Sequence, residues 1–234
     1  MRERIRRLLG EAIVEHHFHQ QRIANILEQL AHTNAAAVLR ENLPRSEKTR
    51  KGNFGEIVAS EHLVQRYGYE MPVFKLRFRD HYDQPMRGED IIGFVRDKNG
   101  RITVLCGGEA KTIATYASRT VVDAYARLTK TYRPRAETLS LLAEILYDRG
   151  DGSLAREVDR IHLALASTPV ARDAWIMLIT ENRPDDPFGK IEELTDVIPS
   201  LSCVNLSLPG LSELVNDLFD TPRIPAVGAD SGTP

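Results

Sequence analysis

With 234 residues, 42% of them hydrophobic and 27% charged, the chain has the composition of a globular protein large enough to fold around one core without disulfides. Its formal net charge of −2 excludes a generally basic nucleic-acid-binding surface, although 31 lysines and arginines leave room for a local basic groove. The sequence has no run of about 18 apolar residues and no signal-peptide pattern, and its two cysteines lie in apolar runs, so we expect a cytoplasmic protein without membrane segments.

Residues 1–45 are predicted to form a helical N-terminal segment. Apolar residues recur at helical spacing between positions 3 and 40, which indicates one or two helices that end before Asn42. Three histidines lie close together in this stretch, but no cysteine or matching ligand pair lies nearby. A solvated helix face is therefore preferred over a metal site for His16, His17 and His19.

The main domain is expected to span residues 46–220. It begins with a polar, basic stretch at 45–51 that is typical of a linker. Gly52 and Asn53 then open a predicted helix that stops at Gly68 and carries Glu56 near its first turn.

After this helix the apolar spacing changes to alternation, which predicts three strands at residues 73–78, 90–95 and 101–111. Asn99-Gly100 between the last two strands is the strongest short hairpin signal that a sequence offers, and it predicts a two-residue type I′ turn. The strands and helices together predict an α/β fold with a central mixed sheet flanked by helices.

The rest of the chain continues this alternation of helices and strands. The remaining predicted elements are helices at 114–132, 134–149 and 153–164, a buried strand at 174–179, a short helix at 188–195, a strand at 203–208 and a helix at 211–219. The tail at 221–234 is rich in proline, glycine and small residues and is predicted to be disordered.

The predicted hairpin brings three charged side chains together. If Lys98 faces Arg101 across a two-residue turn, then Asp90 lies directly opposite Glu109, with Cβ atoms about 5 Å apart. Lys111 lies two residues beyond Glu109, so alternation places it on the same face of the sheet. A three-residue loop would change this pairing.

Two carboxylates at this separation suit a shared divalent cation, with Mg²⁺ or Mn²⁺ as the predicted cofactor. Hydrolysis of a phosphodiester requires neutralisation of the scissile phosphate and a hydroxide near pH 7, and a bound divalent cation supplies both. The ammonium of Lys111 can orient the attacking water and stabilise the developing charge. Gly107 and Gly108 before Glu109, and Gly88 before Asp90, are expected to leave room for a DNA backbone. Glu56 is expected to support the metal shell.

Two resemblances rest on these residues. Gly88-Glu89-Asp90, then an apolar strand, then Gly108-Glu109-Ala110-Lys111 resembles the PD-(D/E)XK pattern of restriction-endonuclease-like nucleases, with Glu89 in place of the proline. More narrowly, three stretches within about residues 50–115 are similar to the nuclease subunit of Hachiman anti-phage defence systems, the HamA family. These stretches are Gly52–Ile57, Phe74–Phe78 and Arg87–Phe94.

The resemblance implies a restriction-endonuclease-like fold and a metal-dependent DNA endonuclease with little sequence preference. It implies Asp90 and Glu109 as metal ligands, assisted by the backbone carbonyl of Ala110, with Lys111 as a catalytic residue and Glu56 in support. It further implies an anti-phage setting in which a partner helicase of superfamily 2, the HamB-like subunit, controls the nuclease.

Basic residues on both sides of the site are candidates for contacts with the DNA backbone, since lysine and arginine carry most non-specific DNA affinity. Solvated surface charges are an almost equal alternative. The candidates are Arg77, Arg79, Arg87, Arg119, Arg127, Lys130 and Arg133.

The alternative function is a catalytically inactive subunit that retains the nuclease fold and binds DNA or scaffolds the helicase. The intact set of Asp90, Glu109 and Lys111 argues against this alternative, because a scaffold has no physical need for three charges at one point.

Overall fold

The computed structural model describes residues 2–30, 32–78, 81–83, 89–131, 136–163, 170–194 and 198–225. It confirms the predicted α/β fold, with a mixed four-stranded sheet, flanking helices and a helical N-terminal segment. The chain forms two compact units: Met1–Ile57, Phe74–Met86 and Ser212–Pro234 make up the first, and Val58–Val73 and Arg87–Leu211 make up the second.

Helices and strands follow one another in the described chain with the following bounds. They are α1 (Arg2–His17), α2 (Gln20–Gln29), α3 (His32–Glu41), α4 (Glu47–Tyr67), a 3₁₀ helix (Lys75–Phe78), β1 (Ile91–Arg96), β2 (Ile102–Ile113), α5 (Ser118–Thr131), α6 (Ala136–Asp148), α7 (Gly152–Leu163), β3 (Ala171–Thr180), α8 (Gly189–Glu192), β4 (Leu201–Ser207) and α9 (Leu211–Asp220).

The N-terminal segment contains three helices where one or two were predicted. The prediction of a solvated histidine face is wrong for His16 and His17, which are buried. The Nδ1 atom of His17 lies 2.7 Å from the carbonyl oxygen of Ile13, and its Nε2 atom lies 3.0 Å from the side-chain nitrogen of Asn53. Both ring nitrogens of His17 thus have a hydrogen-bond partner inside the first unit, which is why a buried polar residue is tolerated there.

The predicted linker at 45–51 and the predicted helix start at Gly52 are both wrong. Helix α4 begins at Glu47, and the hydroxyl of Ser46 accepts a hydrogen bond from the backbone N–H of Thr49, as in an N-cap. Lys51 also pairs with Glu47 one helical turn away at 2.6 Å. Charged residues that suggested a linker therefore form the first turns of the helix, which ends before Gly68 as predicted.

The predicted strand at residues 73–78 is also wrong, because Lys75–Phe78 form a 3₁₀ helix. Instead of joining a sheet, this short segment packs against the end of α1 within the first unit. The ring of Phe74 lies 3.9 Å from that of His16, and the guanidinium of Arg77 donates two hydrogen bonds to the carbonyl oxygen of Glu15.

The sheet of the second unit has the order β1-β2-β3-β4. Strands β1 and β2 are antiparallel, whereas β2, β3 and β4 are parallel to one another. Parallel neighbours require a crossover connection, and the segments with α5 to α7 and with α8 provide the two connections. The carboxyl ends of β2, β3 and β4 therefore lie along one edge of the sheet.

The hairpin between β1 and β2 has the predicted register but not the predicted turn. The backbones of Asp97 and Arg101 pair across a three-residue loop, and Gly100 adopts a φ of 77° that favours glycine. The pairing of Lys98 with Arg101 is thus wrong. A bulge between Val95 and Arg96 adds one residue on β2, which restores the expected pairing further along the ladder.

Two apolar clusters cover the face of the sheet that carries the side chain of Glu109. One joins α6 and α7 to the hairpin, and its central members include Phe94, Leu105, Leu142, Leu146 and Val158. The other joins α5 to β3 through Ala124, Tyr125, Leu128, Ala174 and Ile176. Because Ile176 pairs with Glu109 in the ladder, α5 packs beside the candidate site.

Candidate metal centre

Asp90 and Glu109 lie opposite each other where β1 begins. The ladder pairs Ile91 with Gly108, so Asp90, one residue before β1, faces Glu109 in β2. The Oδ2 atom of Asp90 also accepts a hydrogen bond of 3.1 Å from the backbone N–H of Ala110. The chain bends at Asp90, and this hydrogen bond holds the carboxylate against the end of β2.

The ammonium of Lys111 lies among three oxygen atoms from the residues that were predicted as metal ligands. Its Nζ atom is 2.6 Å from Oε2 of Glu109 and 3.5 Å from Oδ2 of Asp90. It also lies 3.3 Å from the carbonyl oxygen of Ala110. Two carboxylates and one carbonyl therefore surround the ammonium of Lys111.

The carboxylate of Glu109 lies in an environment that disfavours its charged form. Glu109 is 2% exposed. Burial is the largest cause that raises its pKa above the ordinary value, and the negative charge of Asp90 raises it further, while Lys111 and Arg127 act in the opposite direction. The guanidinium of Arg127, on α5, reaches to 3.6 Å from Oε2 of Glu109. A buried carboxylate with a raised pKa beside a second carboxylate is typical of a functional site.

We expect the Glu109→Gln variant to be more stable than the wild type near pH 7 when no divalent cation is present. Because the pKa of Glu109 is raised in the folded state above its ordinary 4.5, the folded protein holds this proton more tightly than the unfolded chain. The group's contribution to stability is therefore complete below pH 4.5 and is lost as the pH rises through the raised pKa. The gain at neutral pH should be about 1 kcal/mol and should disappear on acidification, as measured by urea unfolding in EDTA.

Glu157→Gln is the matched control, with the opposite sign. The hydrogen bond from Arg160 is the largest cause that holds the pKa of Glu157 below its ordinary value. This group stabilises the fold above its unfolded pKa and loses its contribution as the pH falls through the folded pKa. Glu157→Gln should therefore be less stable than the wild type at neutral pH, and the same sign for both variants contradicts this electrostatic description.

Two further residues shape the backbone at the site. Glu89 is buried and accepts a hydrogen bond of 3.0 Å from the hydroxyl of Thr138 in α6, a contact that no motif in the sequence signals. A Cβ atom on Gly108 would lie 2.9 Å from a side-chain carbon of Ile91 and 3.0 Å from the carbonyl oxygen of Trp175. Gly108 is thus required for strand packing, whereas a Cβ on Gly107 would meet no atom within 4 Å. The expected room for a DNA backbone stays a prediction, and Gly88 lies outside the described residues.

Glu56 belongs to the first compact unit, whereas Asp90, Glu109 and Lys111 belong to the second. Within the first unit, the ammonium of Lys75 lies 3.5 Å from Oε2 of Glu56. The role of Glu56 in the metal shell stays a prediction.

The candidate DNA-binding residues have diverse surroundings. Arg119 is exposed and lies 3.7 Å from Asp123 one turn along α5, and Lys130 is exposed on the same helix. Arg127 on α5 contacts Glu109, a proximity that sequence spacing alone does not reveal. Arg77 uses its guanidinium to bind the C-terminal turn of α1. Three further candidates lie outside the described residues, namely Arg79, Arg87 and Arg133.

The donor set fits a hard divalent cation. Mg²⁺ prefers oxygen ligands and retains several water molecules, so two carboxylates and a carbonyl are a sufficient protein contribution. These three oxygen atoms surround the ammonium of Lys111, so the structure already places a positive charge at the position considered for the cation. In the described part of the chain, no three side chains from His, Cys, Asp and Glu gather into a group that could hold a metal ion.

Comparison with known proteins identifies the family. The family model for HamA matches residues 1–220. The chain is 33% identical over 127 residues to Hachiman protein HamA from Bacillus cereus, an alignment that covers 54% of this chain and 44% of that relative. Among the described helices, none is both long and apolar enough to cross a membrane. Since the family match extends over nearly the whole sequence, the chain belongs to the HamA family.

Proposed function

We propose that this protein is a Mg²⁺-dependent DNA endonuclease with little sequence preference and that it acts as the cutting subunit of an anti-phage defence system. The observation that supports the activity is the convergence of Asp90, Glu109 and the carbonyl of Ala110 on one cationic point. Membership of the HamA family, together with the name of its Bacillus cereus relative, supports the Hachiman setting.

Each residue has a defined part in this proposal. Asp90, Glu109 and the carbonyl of Ala110 would hold Mg²⁺, which would supply a positive charge to the scissile phosphate and lower the pKa of a water molecule. The N–H of Ala110 keeps the carboxylate of Asp90 oriented toward the site. Lys111 then has its ammonium next to the reacting phosphate, where it orients the attacking water and stabilises the charge that develops on the phosphate oxygens.

The basic face of α5 is proposed to bind the DNA backbone. Arg127 is more than half exposed, although one of its nitrogens lies 3.6 Å from the buried carboxylate of Glu109. Arg127 can therefore contact a phosphate of the DNA backbone while it stays close to the carboxylate of Glu109. Arg119 and Lys130 extend the positive charge along the same helix. These contacts are independent of base identity, which is consistent with low sequence preference.

A superfamily 2 helicase is the proposed partner. It would restrain the nuclease until invading or damaged DNA is engaged, and it would supply the ATP-driven movement. The basis is the family membership, because the sequence of this chain has no G-x-x-x-x-G-K-[ST] loop for ATP.

The test is cleavage of supercoiled plasmid DNA by the purified full chain, alone and with its helicase partner, in Mg²⁺ and in EDTA. We expect nicked and linear products in Mg²⁺ only. If neither preparation cuts DNA while both bind it, the protein is the catalytically inactive subunit. The ion pair of Lys111 with Glu109 then has a structural role only.

A further inference from the structure

A polar cavity with a volume of about 530 Å³ lies in the second unit, at the ends of β3 and β4. It falls within the size range of small-molecule sites in proteins and is far larger than a site for one water or ion. Its walls come from the loop after β3 and from the last residues of β4. They are formed by Arg183, Pro184, Asp185, Pro187, Asn205 and Ser207.

The cavity and the candidate metal centre share one face of the sheet. In the ladder Lys111 pairs with Leu178, and Leu178 pairs with Asn205, so the three side chains leave the sheet on the same side. Two strand spacings, about 9.5 Å, separate Lys111 from Asn205 along this row. The carboxyl ends of parallel strands are also the edge at which α/β sheets bind their ligands.

The floor of the cavity is an ordered hydrogen-bond network. The amide of Asn205 donates to the carbonyl oxygen of Leu178 at 3.1 Å and to the hydroxyl of Thr180 at 3.2 Å. The hydroxyl of Thr180, which is fully buried, lies 3.3 Å from that of Ser207. Because Thr180 accepts from Asn205, it can donate its own proton to Ser207. The hydroxyl of Ser207 in turn donates to the side-chain oxygen of Asn205 at 3.3 Å, so Ser207 keeps one lone pair that can accept a hydrogen bond from a ligand.

The rim of the cavity carries two opposite charges. Arg183 is exposed, and within the described ranges its guanidinium has no ion-pair partner. Asp185 lies in the same wall and adds a hydrogen-bond acceptor. A ligand with one anionic group and one or more donor groups matches this pair, and a nucleotide has both.

The loop that carries these charges is held in place. The hydroxyl of Tyr116 donates to the carbonyl oxygen of Pro187 at 3.0 Å, and Asp186 accepts from the backbone N–H of Gly189 at 2.9 Å. Pro184 and Pro187 also restrict the backbone. A site that is formed before its ligand arrives loses less entropy on binding.

We propose that this cavity binds one nucleotide of the substrate strand, next to the phosphate that is cut. Arg183 binds the backbone phosphate of that nucleotide, and Asp185 and Ser207 bind its sugar or base. This inference rests on the proposed nuclease function and extends it, because it assigns a path for the strand from Lys111 to the ends of β3 and β4.

Arg183→Gln tests the phosphate contact. We expect the affinity for a fluorescent single-stranded oligonucleotide in EDTA to fall about tenfold, since a charge-assisted hydrogen bond is lost. Arg156→Gln is the matched control, because Arg156 is an exposed arginine on α7 of the same unit, and its affinity should stay within about twofold. Equal affinities of the two variants overturn the proposal.

A titration monitored by NMR tests whether the site recognises a whole nucleotide. We expect a deoxynucleoside 5′-monophosphate to shift the side-chain amide signal of Asn205 in the full chain more strongly than inorganic phosphate or a nucleoside does, and Arg183→Gln to abolish the difference. If inorganic phosphate shifts the Asn205 signal as strongly as the mononucleotide does, the cavity binds only an anion and the proposal is wrong.

The outcomes separate this inference from the nuclease proposal. If DNA is cut normally but Arg183→Gln binds it as tightly as Arg156→Gln does, the subsite is wrong and the nuclease proposal stands. If the mononucleotide binds but no DNA is bound or cut, both the nuclease proposal and the strand path are wrong.

Discussion

Replacement of Glu109 by glutamine is expected to reduce the rate of DNA cleavage at least about 1,000-fold while DNA binding is retained. Glutamine keeps the size of the side chain but removes the negative charge that, together with Asp90, is proposed to bind the divalent cation. The measurement is the single-turnover rate on supercoiled plasmid in Mg²⁺, with oligonucleotide affinity measured in parallel.

The control for this variant is Glu157→Gln, which also removes an ion-paired carboxylate from the second unit, but far along the chain from the site. We expect it to cut plasmid at nearly the rate of the wild type. Wild-type activity in Glu109→Gln contradicts the assignment of Glu109 as a metal ligand.

Replacement of Lys111 by methionine is expected to have two separable effects. Cleavage should fall by about 100- to 1,000-fold, because the ammonium that is proposed to stabilise the developing phosphate charge is lost. The protein without metal should also lose stability on the order of 3 kcal/mol, because Asp90 and Glu109 are left without their shared cation. Added Mg²⁺ should restore this stability, so its effect on Tm should be larger in the variant than in the wild type.

Lys190→Met provides the control for loss of an ammonium. Lys190 pairs with Glu193 at 2.7 Å on the surface, where an ion pair contributes little. Its Tm and the response of its Tm to Mg²⁺ should match those of the wild type. If Lys111→Met also matches the wild type in both respects, Lys111 does not share the cation position.

Strands β1, β2 and β3 could be predicted from local patterns, namely alternation for β1 and β2 and a buried apolar run for β3. Two features of the hairpin near the site compensate each other and leave no such pattern. The loop of the hairpin has three residues, which alone would have shifted Asp90 away from Glu109. The bulge at Thr103 cancels that shift, and its position follows from the packing of both strands and not from a turn motif. The register was therefore predicted correctly from a wrong turn.

The errors in the first unit have a different physical origin. Ser46 caps the N-terminus of α4, directly before a charged stretch that resembles a linker in composition. Tertiary contacts then stabilise this stretch as a helix, as the ion pair of Arg50 with Asp220 shows. His17 is buried because Asn53, far along the chain, satisfies its ring. Long-range hydrogen bonds of this kind leave no periodic signal in the sequence.

The charged residues of the candidate site could be predicted from the sequence, but the residues that hold them in place could not. Asp90, Glu109 and Lys111 follow from strand register and alternation. The N–H of Ala110 that orients Asp90, the hydroxyl of Thr138 that binds Glu89, and the approach of Arg127 depend on how the bend and two helices pack.

We propose that Asp90, Glu109 and Ala110 hold one divalent cation in place of the ammonium of Lys111. The most direct measurement is an anomalous difference map from crystals of the full chain grown with Mn²⁺. We predict a peak bonded to oxygen atoms of all three residues, with Lys111 moved away from Glu109. A map with no peak there, and with the 2.6 Å contact of Lys111 and Glu109 unchanged, contradicts the assignment of these residues as metal ligands.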